Sequence, residues 1–155
     1  MRDRSIYRLL GTGFYTGYAP IAPGTAGSLV GVVLFALFFH RLSLPLFLIT
    51  LCGLFAIGIL SAAHIDRAEH SSDNSMIVID EVVGMLLTYT ALPATPWILF
   101  LGFLLFRLFD IFKPWPACLI QRRMHTPLGV MLDDLVAGAY AWLVLVLGGQ
   151  VWSLF

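Results

Sequence analysis

The chain has 155 residues, of which 59% are hydrophobic and only 12% charged, with zero formal net charge and a mean hydropathy of +0.90. A water-soluble domain carries about 25% charged residues, so the composition excludes one and points to a single all-α domain over residues 1–155, a multi-span membrane bundle. Zero net charge also excludes a nucleic-acid binder, which needs an excess of Lys and Arg to meet phosphates.

Residues 1–10 alternate Arg4 and Arg8 with Ile6, Tyr7, Leu9 and Leu10, a short interfacial amphipathic piece without the apolar core of a cleavable signal. Residues 11–28 hold five glycines and two prolines, a long breaker-rich loop. Thr25 can cap the first span, and Gly27, Ser28 and Gly31 leave one of its faces small. Five apolar stretches then follow, near 26–39, 44–63, 82–92, 97–106 and 135–155, and predict about five spanning or partly spanning helices. The three shorter stretches run into polar residues, so their helices are expected to continue through Asp80, Glu81, Arg107 and Asp110. Between the spans, 64–76 is polar, Pro93 and Pro96 bracket a turn, Lys113-Pro114-Trp115-Pro116 breaks the fourth span, and 118–124 reads as a short amphipathic helix. Cys52 and Cys118 lack zinc-ligand spacing and suggest no disulfide framework.

If each apolar stretch crosses a bilayer, one face collects all nine acidic residues and eight of the nine basic ones, leaving His40 and Arg41 on the other. Lys and Arg favour the cytoplasmic side, so the charged face is expected to be cytoplasmic. Its charges are mixed in sign, as in a site. Asp80-Glu81, Asp110 and Asp133-Asp134 project from three helix ends, with Asp73 nearby in sequence. Carboxylates in that number repel one another unless a cation intervenes, and hard oxygen ligands suit magnesium. Charges at membrane depth are costly, which makes these acids candidates for function; local pairing with Arg107 and Lys113 would be the structural alternative.

Arg107, Asp110 and Lys113 are spaced three apart and share a helix face, as a phosphate clamp beside a metal would require. Thr25 and Ser28, at the glycine-rich loop and the helix start, are further phosphate-binding candidates. His125, between the clamp and Asp133, suits proton transfer or phosphate contact. His40 reads as interfacial, and His64 and His70 as solvated loop residues.

Four blocks in order carry a resemblance: Pro23-Gly24-Thr25-Ala26-Gly27-Ser28-Leu29; Ile77-Val78-Ile79-Asp80-Glu81 with Gly84-Met85; Phe106-Arg107 with Asp110 and Lys113-Pro114-Trp115-Pro116; and Gly129-Val130-Met131-Leu132-Asp133-Asp134 with Ala137-Gly138. In these the chain resembles phosphatidylglycerophosphatase A, a family of bacterial membrane lipid phosphatases. It departs at 72–76, where the family often has a His-Asp pair before a glycine and this chain keeps only Asp73. The resemblance implies magnesium-dependent removal of the terminal phosphate of phosphatidylglycerophosphate in the bacterial inner membrane, at a cytoplasm-facing site. CDP-alcohol phosphotransfer would also use membrane aspartates and magnesium, but its Asp-Gly…Ala-Arg…Gly…Asp…Asp pattern is absent. A transporter would place acids near mid-membrane with polar faces toward both sides.

Overall fold

The computed structural model describes residues 3–70 and 74–152, so Asp73 lies outside the described residues. All regular structure among them is helical: α1 (Asp3–Gly11), α2 (Pro23–Leu37), α3 (Leu44–Glu69), α4 (Ile79–Thr88), α5 (Pro96–Phe112), α6 (Ala117–Arg123) and α7 (Pro127–Trp152), with 3-10 turns at Thr16–Tyr18 and Phe39–Arg41. Among the described residues, three segments are long and apolar enough to cross a membrane, Pro23–Arg41, Leu44–Glu69 and Pro127–Gly149. Their outer faces are apolar. Leu29, Val33 and Leu37 form an exposed i, i+4 stripe on α2, and Leu104, Leu108 and Ile111 a similar one on α5. Such stripes would make a water-soluble protein aggregate; facing lipid, they are at home. The chain is a membrane protein.

The fourth helix behaves differently. At 1.5 Å per residue it is only about 15 Å long, and eight of its residues, from Ile79 to Thr88, are buried. Glycines let its neighbours close in: a Cβ on Gly31 of α2 would strike Met85, and one on Gly138 of α7 would strike the Gly84 carbonyl. The Thr88 hydroxyl donates to Gly84 O at 3.0 Å and lies 3.4 Å from Gly138 O, so the crossing is also polar. Beyond α4, Ala91 and Leu92 share a small hollow with His40, Leu42 and Leu44. The segment 79–92 therefore traverses the bundle, although only its first part is helix. A helix encased in protein need not match the bilayer thickness by itself.

The structure shifts several boundaries. The third helix does not stop near Ala63 but runs to Glu69, because Gly58, Ser61, Ala62 and Ile65 continue one buried face. That places His64 on a helix, its ring stacked on Tyr7 with centroids 5.0 Å apart, instead of in a solvated loop. Exposed His70 ends α3 in the left-handed conformation (φ 52°). The glycine-rich loop is shorter than its composition suggests, because α2 already starts at Pro23. Thr25 consequently does not cap α2. Ala22 occupies the cap position with φ 51°, without a side-chain bond, and Pro23 takes the first turn, where its missing N–H costs nothing.

The helix ends then sort by charge. The starts of α2, α4 and α7 and the end of α5 meet at one end of the bundle, around Glu81, Asp134, Asp110 and Lys113. His40 and Arg41 lie at the other, on the turn between α2 and α3.

Candidate active site

Where those helix ends meet, a cavity of about 330 Å³ opens to the surface. Asp80 and Glu81 enter it from the first turn of α4, Arg107 and Asp110 from the last turns of α5, and Asp133 and Asp134 from the second turn of α7. Lys113 ends α5 in the left-handed conformation, φ 42°. That backbone is unusual for a residue with a Cβ and tends to be kept where surrounding contacts fix it. Here the fixing contacts are visible: the Tyr140 hydroxyl of α7 donates to Trp115 O at 2.7 Å, tying the turn after α5 to α7.

Among the described residues, five carboxylates in this cavity face two cations, and they divide into two sets. Arg107 Nη1 bonds Asp110 Oδ2 at 2.6 Å, and Lys113 Nζ bonds Asp133 while lying 3.6 Å from Asp110 and 3.9 Å from Asp134. Burial alone would lower the Lys113 pKa, but the carboxylates of Asp134, Asp133 and Asp110 outweigh it and hold the ammonium above the usual lysine value. The second set, Asp80, Glu81 and Asp134, brings one carboxylate oxygen from each residue within 4.8 Å of the others. Asp80 Oδ1 and Glu81 Oε2 are buried and have no hydrogen-bond partner among the described residues. A buried carboxylate oxygen without a partner is expensive; these two, with the Asp134 carboxylate beside them, form a donor set for a hard divalent cation.

The Arg107 side chain is held from two sides. Besides Asp110, its Nη1 lies 3.4 Å from Ser28 Oγ, and Ser28 donates in turn to Gly24 O at 2.8 Å. Ser28 is thus fully buried beneath the cavity, positioning the guanidinium without lining the space itself. Thr25, half-buried, does not line it either. At the α2 start, the Thr25 and Ala26 N–H groups donate to Ala22 O, and Ala22, Pro23 and Gly24 line the cavity. Gly24 itself is tightly enclosed: a Cβ there would collide with the Glu81 carboxylate and come within 3.3 Å of Arg107 Nη1. Exposed His125 and Gln121 stand at the rim, with Asn74 and Met124 beside them.

This arrangement can bind a phosphomonoester. Cations on one wall meet phosphoryl oxygens, and the carboxylates on the other can hold a metal or handle protons. The comparisons with known proteins agree. The family model described as phosphatidylglycerophosphatase A matches residues 9–148. The chain belongs to the phosphatidylglycerophosphatase A family. It is 35% identical over 149 residues to the Escherichia coli phosphatidylglycerophosphatase A, covering 96% of this chain and 86% of that one. It is 37% identical over 149 residues to the Haemophilus influenzae phosphatidylglycerophosphatase A, covering 94% and 90%. A Bacteroides thetaiotaomicron protein provisionally named a phosphatidylinositol-3-phosphatase is 34% identical over 153 residues, covering 92% and 93%. No solved structure matches the chain. The protein is a phosphatase, and the four sequence blocks of this phosphatidylglycerophosphatase A family member all contribute residues to, or immediately beneath, one cavity.

Of the residues singled out in the sequence, Asp80, Glu81, Arg107, Asp110, Lys113, His125, Asp133 and Asp134 line the cavity together. Gly24, named in the sequence only within the glycine-rich loop and its block, lines the cavity too, as do Gln121 and Asn74, which were given no site role. Gln121 lies on the short amphipathic helix, whose polar face reads as solvated in sequence and here borders the mouth. Gly24 offered only a weak signal, a glycine beside a proline, which more often marks a turn.

Proposed function

We propose that the protein hydrolyses phosphatidylglycerophosphate to phosphatidylglycerol and inorganic phosphate, with magnesium, at the cytoplasmic face of the bacterial inner membrane. The observation that carries this reading is the split of the acids: Asp80, Glu81 and Asp134 converge, Asp80 and Glu81 each with a buried oxygen that has no partner among the described residues, while Asp110 and Asp133 are committed to Arg107 and Lys113. The substrate is supported by the names of the two relatives at 35% and 37% identity. The orientation is supported by the gathering of charge at one end of the bundle.

In this reading Asp80, Glu81 and Asp134 would hold the cation, which when bound supplies positive charge to the phosphoryl oxygens. The remaining roles fall to the chain. Arg107, pinned by Asp110 and Ser28, presents its free N–H groups to the phosphate. Lys113 carries a second positive charge that burial does not remove. Water attacks phosphorus, the bond to the glycerol oxygen breaks, and that oxygen takes up a proton. His125 at the rim is placed to deliver it, and a carboxylate on the inner wall to receive the proton of the attacking water. The apolar outer faces of α2 and α5 flank the cavity and receive acyl chains, so the headgroup reaches the acids without leaving the membrane surface.

Purified protein in lipid nanodiscs should release inorganic phosphate from phosphatidylglycerophosphate and act poorly on glycerol 3-phosphate, which lacks the acyl contacts that hold the headgroup in place. Equal efficiency on both substrates would overturn the lipid-phosphatase reading.

A further inference from the structure

The loop between α1 and α2 has two unlike faces. Its inner face is glycine pressed against the strand of chain that leads to Asp80. A Cβ on Gly17 would collide with Met76 O, one on Gly13 would lie 2.9 Å from Val78 Cγ2, and the Val78 N–H donates to Gly11 O at 2.9 Å. Its outer face carries Phe14, Tyr15, Tyr18 and Ile21, exposed by 55%, 52%, 46% and 85%. Phe14 and Tyr15 both take left-handed backbone, φ 58° and 68°. Each such residue costs roughly 1–2 kcal/mol when it carries a Cβ, and glycine would relieve it. Two consecutive aromatics in that conformation are a costly way to make a turn. They are a direct way to point two rings outward.

The N–H groups of residues 13–19 are all paired within the loop or to the end of α1. The Phe14 N–H donates to Leu9 O at 2.8 Å, the Gly17 N–H to Thr12 O at 2.9 Å, and the Tyr15 N–H to the buried Thr12 hydroxyl at 3.1 Å. A segment whose N–H groups are already paired can enter a poorly hydrated layer without leaving those donors unsatisfied. Its position supplies that layer. Ile21 stands two residues before α2, whose exposed stripe of Leu29, Val33 and Leu37 faces lipid, so the apolar surface of the span continues onto the loop. The Arg8 guanidinium, bonded to Glu69 and 3.3 Å from the Tyr18 hydroxyl, fastens the loop to α1 and to the end of α3.

We propose that residues 13–21 are an interfacial anchor: Phe14, Tyr15, Tyr18 and Ile21 enter the headgroup layer of the bilayer that α2 spans, and this contact steadies the 76–80 segment carrying Asp80. Tyrosine is suited to that depth, with an apolar ring and a polar tip. The loop also leads directly into Ala22 and the first residues of α2, Pro23 and Gly24, which line the cavity, so it forms the lip between lipid and site.

The test uses full-length protein in phosphatidylcholine and phosphatidylglycerol nanodiscs, with Cys52 and Cys118 replaced by Ser. An environment-sensitive dye on Tyr15→Cys should emit to the blue and be quenched by lipids spin-labelled near the headgroup, but not by iodide. The same dye on His70→Cys, an exposed helix end, should be quenched by iodide. This arm does not depend on the substrate. The second arm is the double variant Phe14→Gly, Tyr15→Gly, which suits the left-handed backbone and deletes the rings. Its thermal stability in detergent should equal or exceed wild type, while phosphate release from bilayer phosphatidylglycerophosphate falls about fivefold. Iodide access at position 15 equal to that at 70 overturns the anchor, and so does shielding from iodide without quenching by the headgroup spin label. Wild-type turnover in the double-glycine variant overturns its link to the site.

Discussion

Lys113→Met removes the one ammonium that three acids share while keeping the length and apolar stem of the side chain. Nζ bonds Asp133 and lies 3.6 and 3.9 Å from Asp110 and Asp134, and the lysine side chain is only 19% exposed. Removing one partner of a buried ion pair costs about 3–5 kcal/mol because the other charge is stranded. Asp133 keeps some access to water through the cavity mouth, so about 2–3 kcal/mol is the better expectation here. That corresponds to a roughly 30- to 150-fold fall in the folded-to-unfolded ratio. The left-handed backbone at 113 strains Met and Lys alike, so the comparison isolates the charge. The raised lysine pKa fixes the sign of the pH dependence: its stabilisation is complete below the ordinary value of 10.5 and is lost only as pH climbs through the higher folded value. The assay is denaturant or thermal unfolding in detergent, without metal, on both proteins at neutral and mildly alkaline pH. A stability difference of about 2–3 kcal/mol, unchanged between about pH 7 and 9, fits the account. A Lys113→Met protein as stable as wild type would show that the shared-cation geometry contributes nothing, and the reasoning fails.

Gly24→Ala should behave against helix propensity: alanine favours a helix interior by about 1 kcal/mol, yet its Cβ meets Glu81 and Arg107. Both obstacles are ends of flexible side chains, so the variant should fold with near wild-type melting while turnover drops at least tenfold. Arg107→Lys keeps the charge but cannot hold Asp110 and Ser28 while reaching a phosphate with a fork; kcat/KM should fall about 10–100-fold with unchanged dependence on magnesium. Cysteine labelling at position 42 should report the outside and at position 70 the cytoplasm; the reverse pattern contradicts the proposed orientation.

The convergence of the acids was legible in the sequence because it follows from topology. Asp80-Glu81, Asp110 and Asp133-Asp134 each flank an apolar run, and alternating passes through a bundle return those ends to one level. Their division of labour was not legible. Adjacent residues on a helix point about 100° apart, so whether Asp133 or Asp134 meets Lys113 depends on how α7 is rotated against α5, and Gly84 and Gly138 set α7 against α4 by close backbone contact. The extension of α3 to Glu69 could have been found, since positions 58, 61, 62 and 65 keep helical spacing through the polar segment. The start of α2 was harder. Thr25 is a good capping residue, and only the left-handed Ala22 with Pro23 in the first turn moves the boundary. The shortness of α4 arises from its burial on all sides, which a hydrophobic run of similar length shares with a membrane span.

The most direct test of the central claim, that Asp80, Glu81 and Asp134 form the metal-dependent heart of a lipid phosphatase, is a magnesium titration of phosphate release from phosphatidylglycerophosphate in nanodiscs. It compares EDTA-stripped wild-type protein with Asp80→Asn and Asp134→Asn. Wild type should be inactive until magnesium is restored. Both variants, folded and at normal abundance, should remain about 10²–10³-fold slower at saturating magnesium, the scale expected when a key electrostatic contact to the transition state is lost. Full activity in EDTA, or near wild-type rates in both variants, would contradict the account.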